Sequence, residues 1–171
     1  DVYGVGALIL GKSGIGKSEC SLELVKRGHR LVADDVVEVR KVNPSTLTGS
    51  SVKHLGYHLE VRGLGIINVP EIYGMSAVRD KKKIELAIIM EEWNSRKSYD
   101  RTGLSYRTHE ILGVKIPRVI LPITPGRNIA ILIEVASMNR RLLKMGYRSP
   151  IEKLQQDIDD EIGKNAAGGA A

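Results

Sequence analysis

Eight consecutive residues near the start of the chain carry the pattern of a phosphate-binding loop. They match G-x-x-x-x-G-K-[ST] and are Gly11, Lys12, Ser13, Gly14, Ile15, Gly16, Lys17 and Ser18. An apolar run at residues 5–10 predicts a buried strand before the loop, and residues 18–27 have the apolar spacing of a helix. This pattern binds phosphate when it lies between a strand and a helix, so the eight residues are predicted to hold a nucleotide.

The residue types within this loop each have a chemical use. Glycines let the backbone approach an anion closely, so that backbone N–H groups and the helix N-terminus face phosphate oxygens. Lys17 provides a positive charge for the β- and γ-phosphates, and the Ser18 hydroxyl is a typical Mg²⁺ ligand. The loop therefore predicts a nucleotide bound together with Mg²⁺.

Two adjacent carboxylates follow the next apolar segment of the chain. Asp34 and Asp35 stand where a P-loop protein places the acid that holds Mg²⁺, directly or through water. In a kinase, an acid can also accept the proton of the hydroxyl that receives the phosphate. Because neighbouring residues of a strand point to opposite faces, we expect one of the two to face the nucleotide directly.

Further charged residues are candidates for the same chemistry. Glu60 and Arg62 lie two residues apart on a predicted strand, so they share a face, either as a metal or substrate carboxylate beside a phosphate-binding arginine or as a surface ion pair. Arg101 in a polar loop and Arg127 at the start of a helix are candidate phosphate ligands or ordinary surface charges. The four histidines lack metal-ligand spacing, so we assign them no metal role.

Composition limits the class of protein. A chain of 171 residues with 42% hydrophobic residues suits one folded domain. The single cysteine, Cys20, excludes an internal disulfide and is expected to pack as an unreactive apolar residue, which suits a cytoplasmic protein. No apolar run reaches membrane-spanning length. The net charge of +6 favours anionic ligands. The basic clusters of the chain are short and typical of solvated surface, so a nucleic-acid partner is not expected, and a membrane partner is not expected either.

The periodicity of the remaining chain predicts one α/β domain over residues 1–164. Strands are predicted at residues 31–40, 58–62, 66–69, 82–93 and 114–123, with a turn near Pro44 and loops at 46–56 and 94–108. A long helix opens after residues 124–128, ends at Gly146, and has Ile129, Leu132, Ile133, Ala136, Met138 and Leu142 on its apolar side. A final helix starts at Ser149, and residues 165–171 are expected to form a disordered or artificial tail. The abrupt entry into a strand after Asp1 indicates a piece of a longer chain.

Four stretches that occur in order along the chain resemble a known family. Residues 11–19, 27–35, 59–68 and 125–128 read GKSGIGKSE, RGHRLVADD, LEVRGLGIIN and PGRN. Together they strongly resemble the C-terminal catalytic domain of bacterial HPr kinase/phosphorylase, over nearly all of the chain from Asp1 to about Met145. The 59–68 stretch is highly specific, whereas the phosphate-binding loop alone is not.

The resemblance implies roles for individual residues. Lys17 grips the nucleotide phosphates and Ser18 binds Mg²⁺. Asp35, with Asp34 beside it, accepts the proton during phosphorylation and donates it in the reverse reaction. Glu60 is a second carboxylate on the metal side.

The resemblance also implies two positions later in the chain. Arg101 corresponds to an active-site arginine. The segment that the family needs for dephosphorylation corresponds to Pro122, Ile123, Thr124, Pro125, Gly126 and Arg127. The family's catalytic histidine would precede Asp1, and the family's N-terminal domain is absent from this chain.

The implied activity is that of a bifunctional enzyme of carbohydrate regulation. The family phosphorylates a serine of HPr, the phosphocarrier of the sugar phosphotransferase system, using ATP or pyrophosphate with Mg²⁺. It removes that phosphate with inorganic phosphate as acceptor and releases pyrophosphate. The resemblance further implies a hexamer and a P-loop fold with a mixed sheet and flanking helices, similar to phosphoenolpyruvate carboxykinase.

Two other classes of function are compatible with parts of the sequence. One is a plain P-loop ATPase or small-molecule kinase. The other is a nucleic-acid-binding or regulatory nucleotide-binding module, suggested by the basic charge. The chain has no N-K-x-D stretch and no aromatic pattern beside its basic clusters, which counts against a GTPase of the familiar type and against single-strand binding.

Overall fold

The computed structural model describes residues 1–52, 56–99, 107–147, 153–154 and 156–159. Its strands are β1 (Gly6–Leu10), β2 (Val37–Asn43), β3 (Thr46–Ser51), β4 (His58–Val61), β5 (Gly65–Asn68), β6 (Lys81–Glu92), β7 (Thr108–Ile111) and β8 (Val114–Ile123). Its helices are α1 (Lys17–Lys26), α2 (Val69–Tyr73) and α3 (Ile129–Lys144), with a 3₁₀ turn at Met75–Ala77. Residues 153–154 and 156–159 are also helical and fall in the predicted final helix, whereas its predicted start at Ser149 and the predicted tail at 165–171 lie outside the described residues.

The larger sheet has six strands and is mixed. β1 and β8 both run parallel to β6, with Leu8 beside Ala87 and Ile89 beside Ile120. β3 and β7 pair antiparallel with β6 and β8, and β2 pairs with β3, while β4 and β5 form a separate hairpin. The three parallel strands bring their carboxyl ends to one edge, which is where open α/β sheets place their ligands. The predicted mixed sheet with flanking helices is confirmed.

Burial on both faces of β6 creates the centre of the fold. On one face Leu86, Ile88 and Met90 pack in a cluster that includes Leu24 of α1 and Ile133 of α3. On the other face the fully buried Ala87 belongs to a cluster that contains Leu47 of β3 and Ile116 of β8. The prediction that this strand is buried on both faces is therefore confirmed, and α1 and α3 are held against the parallel part of the sheet.

The apolar side predicted for α3 is partly wrong. Met138 and Leu142 are 41% and 46% exposed. Ile133 is buried as predicted, and Ile129, Leu132 and Ala136 are partly buried against the same core cluster. Ala130, Glu134 and Ser137 are buried as well, and together with Ile133 they follow the i, i+3, i+4, i+7 spacing of one helix face. Glu134 is tolerated there because it pairs with His29 Nε2 at 2.9 Å and with Arg27 Nη1 at 3.3 Å. No helix in the described ranges is long and apolar enough to cross a membrane.

Two other predictions of local structure are wrong. The segment predicted as a strand from residue 31 makes only an isolated bridge at Leu31, and regular pairing starts at Val37. The segment 46–56 was expected to be a loop, but Thr46–Ser51 forms β3 between β2 and β6. The Ser, Thr and Gly residues of this segment are typical of loops, and Gly49 lets Val37 pack closely, since a Cβ there would lie 3.2 Å from Val37 Cγ1. The remaining predicted strands and the turn near Pro44 are confirmed.

Replacing Ile133 tests the central core. Ile133 has no exposed surface, so Ile133→Ala leaves a cavity between α3 and the sheet and should lower the free energy of unfolding by about 2–5 kcal/mol. Val42→Ala is the control, because Val42 lies 65% exposed on the edge strand β2 and its change should stay within about 0.5 kcal/mol. Urea unfolding measures both, and equal losses would contradict the assignment of the buried face.

The thiol of Cys20 provides a second test of this packing. Burial, with a smaller contribution from the Glu23 carboxylate, raises the pKa of Cys20 to about 12. Only the thiolate is nucleophilic, so iodoacetamide at pH 8 should leave native Cys20 unmodified for hours and modify it fully in denaturant. Mass spectrometry measures the fraction alkylated. Rapid alkylation of the folded chain would show that the thiol is accessible and ionised, against the predicted lack of reactivity.

Candidate functional site

The phosphate-binding loop joins β1 to α1 as the sequence predicts. Gly14 and Gly16 have φ values of +79° and +98°, a backbone conformation that residues with a side chain adopt only with strain. Gly16 is the N-cap of α1, and no side chain caps the first turn, so its N–H groups remain available to an anion. Lys17 Nζ lies over the loop, 3.1 Å from Gly11 O and 3.0 Å from Lys12 O. The loop thus offers backbone donors and an ammonium group to phosphate oxygens.

The carboxylate of Asp34 lies directly beside the start of α1. Ser18 Oγ donates to it, at 3.2 Å from Oδ1 and 3.1 Å from Oδ2. The backbone N–H of Glu60, on β4, donates to the same Oδ2 at 3.3 Å. Three segments that are distant in sequence therefore meet at one carboxylate, and Glu60 contributes its backbone N–H there and not the carboxylate that the sequence singled out.

Asp35 has a different environment from Asp34. The two acids lie in a bend before β2 and not on a strand, so the expected alternation of faces does not apply. Asp35 has a φ of +31°, which is unusual for a residue with a side chain, and it is exposed. Asp35, Asp34 and Lys17 line one cavity of about 120 Å³ that continues along β1 towards His29. The bend directs one acid to Ser18 and leaves the other accessible to a ligand in the cavity.

Arg62 reaches the phosphate-binding loop from the β4–β5 hairpin. Its guanidinium lies so close to Gly14 that a Cβ at that position would be 2.6 Å from Nη2 and 3.1 Å from Cζ. The glycine therefore permits a planar cation to lie against the loop. The spacing of Glu60 and Arg62 suggested a phosphate-binding arginine, but the partner at Gly14 was missed because no sequence pattern relates residues 48 positions apart.

The donor set fits a hard divalent cation. Within the described part of the chain there is no group of three or more His, Cys, Asp or Glu side chains that could hold a metal by themselves. Mg²⁺ commonly uses one or two protein oxygens and completes its coordination with water and substrate phosphates. The Ser18 hydroxyl and the Asp34 carboxylate provide such a pair beside the loop, and the Glu60 side chain is exposed on the adjoining strand.

The predicted dephosphorylation segment lies at the same edge of the sheet. Pro122 and Ile123 end β8, which is parallel to β6, and Pro122 is paired with Glu91. The next four residues turn towards α3, with Gly126 at φ +80° and Arg127 N–H bonded to Thr124 O at 3.2 Å. Arg127 Nη1 also donates to Pro122 O at 3.3 Å, so the arginine closes its own turn. Arg101 lies outside the described residues.

Known proteins resemble this chain over nearly its whole length. The sequence model of the family described as "HPr Serine kinase C-terminal domain" matches residues 1–158. The HPr kinase/phosphorylase of Treponema pallidum (strain Nichols) is 51% identical over 168 residues, which cover 98% of this chain and 52% of that protein. The HPr kinase/phosphorylase of Listeria monocytogenes serotype 4a (strain HCC23) is 51% identical over 167 residues, covering 98% of this chain and 53% of that protein. The chain spans about half the length of these curated relatives.

A solved structure shows the same fold. The Hpr(Ser) kinase/phosphatase from Coxiella burnetii superimposes with a TM-score of 0.77 at 38% sequence identity, over 85% of this chain and 88% of that chain. The family match covers the phosphate-binding loop, both aspartates, the β4–β5 hairpin and the segment that ends β8. This chain therefore belongs to the HPr serine kinase C-terminal domain family.

Proposed function

We propose that this chain is the catalytic part of a Mg²⁺-dependent protein-serine kinase/phosphorylase that acts on the phosphocarrier HPr. The observation that carries the proposal is the junction at Asp34, where Ser18 and the backbone of Glu60 meet one carboxylate beside Lys17. A phosphoryl-transfer site needs cations on the phosphate side and acids near the acceptor, and this junction is compatible with both. The chain's membership of the family supports HPr as the acceptor of the phosphoryl group.

The phosphate donor is ATP or pyrophosphate. Its phosphates bind the N–H groups of the loop and the start of α1, and Lys17 Nζ leaves the carbonyl groups of Gly11 and Lys12 to bind them. Arg62 adds a second cation from the hairpin, where its guanidinium can spread its donors over phosphate oxygens. Both cations stabilise negative charge that develops on the transferred group.

The Ser18 hydroxyl and the Asp34 carboxylate would hold Mg²⁺, with Glu60 as a further carboxylate on the same side. When bound, the ion neutralises charge on the phosphates and orients them. The hydrogen bond from Glu60 N–H fixes Asp34, so the carboxylate is positioned before the ion arrives.

Asp35 is the proton acceptor in the forward direction. The serine Oγ of HPr forms a bond to phosphorus, the bond from phosphorus to the leaving diphosphate or phosphate oxygen breaks, and the serine proton goes to Asp35. In the reverse direction an oxygen of inorganic phosphate attacks the phosphorus of phosphoserine, the bond from that phosphorus to serine Oγ breaks, pyrophosphate forms, and Asp35 returns a proton to serine Oγ. Its exposure in the cavity suits this role better than the occupied position of Asp34.

The proposal extends to the oligomeric state and the cellular location of the protein. We infer a homo-oligomer, a hexamer by family resemblance, that works in the cytoplasm to regulate carbohydrate use. α3 supports an oligomer because its exposed side carries a line of apolar residues at heptad spacing, namely Ile131, Val135, Met138, Leu142 and, just beyond the helix, Met145.

Transfer of labelled phosphate to HPr tests the proposed activity. Purified chain, Mg²⁺ and radiolabelled ATP should label HPr but not an HPr variant whose target serine is alanine. Lys17→Ala should reduce the transfer at least a hundredfold, because it removes a charge that contacts the phosphates, at a cost of about 2.7–4 kcal/mol in the transition state. Lys26→Ala, an exposed position at the other end of α1, is the matched control and should retain full activity.

The outcomes of this assay separate the candidate functions. ATP hydrolysis without label on HPr would favour a plain ATPase, and full transfer by Lys17→Ala would contradict the role of the loop lysine. Label on both HPr forms would exclude the target serine as the acceptor.

Arg127 tests the assignment of the 122–127 segment. Arg127→Ala opens the turn that ends β8, and we expect it to reduce phosphate-dependent dephosphorylation of phosphoserine-HPr about tenfold more than ATP-dependent phosphorylation, a difference of about 1.4 kcal/mol between the two directions. Initial rates in both directions at saturating substrates measure the effect. The control is Arg141→Ala, an exposed arginine near the end of α3. Equal losses in both directions would remove the special role of this segment.

A further inference from the structure

A second cavity adjoins the phosphate-binding loop at the carboxyl end of β6. It is open, has a volume of about 440 Å³, and is lined by Lys12 of the loop together with the last residues of β6 and the turn that follows. Among the described residues it shares no lining residue with the cavity that contains Lys17, Asp34 and Asp35. A nucleotide whose phosphates occupy the loop has to place its base and ribose in an adjoining space of this kind.

The cavity has a fixed aromatic surface. Trp93 directly follows β6 and stacks on Tyr99, with ring centroids 4.9 Å apart and planes inclined by 22°. Its backbone N–H donates to Ile123 O at 3.3 Å, which fixes the backbone of Trp93 at the end of β8. Despite these contacts Trp93 is 53% exposed. The backbone of Trp93 is therefore held by a hydrogen bond, and one face of its indole is held by Tyr99. Because the side chain is still half exposed, it can stack with a planar ligand.

The turn that carries Tyr99 is itself closed by hydrogen bonds. Asn94 N–H donates to Tyr99 Oη at 3.1 Å, and the hydroxyl lies 3.5 Å from Glu92 O. Lys97 Nζ lies 6.0 Å from the Tyr99 ring centroid. Since Tyr99 supports Trp93 from behind, the indole keeps its orientation without a ligand, and less ordering is needed when a planar group binds.

The charges in this cavity favour an uncharged ring over another phosphate. Its described lining contains the carboxylates of Glu91 and Glu92, and both oxygens of Glu91 lie 2.7 Å from Lys97 Nζ. Lys97 is therefore already neutralised, and Lys12, on the loop side, is the remaining ammonium among the lining residues that the structure describes. The two ammonium groups and two carboxylates of this described lining sum to a net formal charge of zero, so it does not concentrate positive charge for a phosphate, whereas a base with a polar edge would find hydrogen-bonding groups and an aromatic face.

We propose that this cavity is the base subsite of the nucleotide donor, in which the heteroaromatic base of ATP stacks on Trp93. The inference rests on the proposed function, because it assumes that the donor's phosphates occupy the loop. Stacking is tolerant of ring type, since every base has a π-face, so other nucleoside triphosphates should compete with ATP. Pyrophosphate, which has no base, occupies the loop without using this cavity.

Comparing ATP with pyrophosphate as phosphate donor tests the base subsite. Trp93→Leu removes the aromatic surface and should raise the KM for ATP about tenfold, since a stacked base commonly contributes this much or more to affinity, while the KM for pyrophosphate stays unchanged. Trp93→Phe keeps a ring and should restore most of the affinity for ATP. The control is Val42→Ala, an exposed apolar residue on the edge strand β2, which should change neither constant. Circular dichroism melting confirms that the variants fold.

Two kinetic results would overturn the subsite. If Trp93→Leu raises the KM for ATP and pyrophosphate equally, Trp93 supports the phosphate-binding loop and not the base. If it changes neither KM, the base lies elsewhere.

A binding measurement keeps this inference separate from the proposed function. If the wild-type chain transfers no phosphate to HPr, the proposed function fails, but calorimetric titration with ATP and with inorganic tripolyphosphate still tests the cavity. If Trp93→Leu binds ATP more weakly than the wild type but binds tripolyphosphate equally well, the subsite is supported. Weaker binding of both ligands, or of neither, overturns it.

Discussion

The candidate site depends on the hydrogen bonds that converge on the carboxylate of Asp34. Ser18 Oγ reaches it from the start of α1, and Glu60 N–H reaches it from the β4–β5 hairpin. A carboxylate that accepts several hydrogen bonds is fixed in orientation, and it fixes the groups that donate to it. The hairpin is not part of the larger sheet, so this contact is one of the links that hold Arg62 beside Gly14.

The larger sheet provides the second constraint on the site. β6 is buried on both faces and pairs with β1 and β8 in parallel, so the segments that follow these three strands meet at one edge. They are the phosphate-binding loop, the turn with Trp93 and Tyr99, and the turn closed by Arg127. One edge of the sheet therefore holds the proposed phosphate site, the proposed base subsite and the segment assigned to the reverse reaction. Reversible transfer at a single site requires this kind of proximity, because the same groups have to serve both directions.

The sequence predicted the parts of the structure whose local patterns are strong. The loop, the helix after it, β6, β8 and the start of α3 were found where spacing and caps indicated them. β3 was missed because its Ser, Thr and Gly residues are typical of loops, and pairing on both sides determines its conformation. The strand predicted from residue 31 was wrong for the opposite reason: Leu31 is buried in a cluster with Leu59 and Val61 of the hairpin, and not by regular sheet pairing.

The sequence by itself determined the family of this chain and indicated phosphate chemistry, because a phosphate-binding loop needs particular residue types at fixed spacing along the backbone. It also placed Asp34, Asp35, Glu60 and the 122–127 segment among the candidates. The tertiary structure alone decided that Asp34 is bonded to Ser18 while Asp35 faces the cavity, that Arg62 lies on Gly14, and that Trp93 lies beside the loop. These relations join residues that are distant in sequence, and they follow from how the strands and the hairpin pack, which no local pattern encodes.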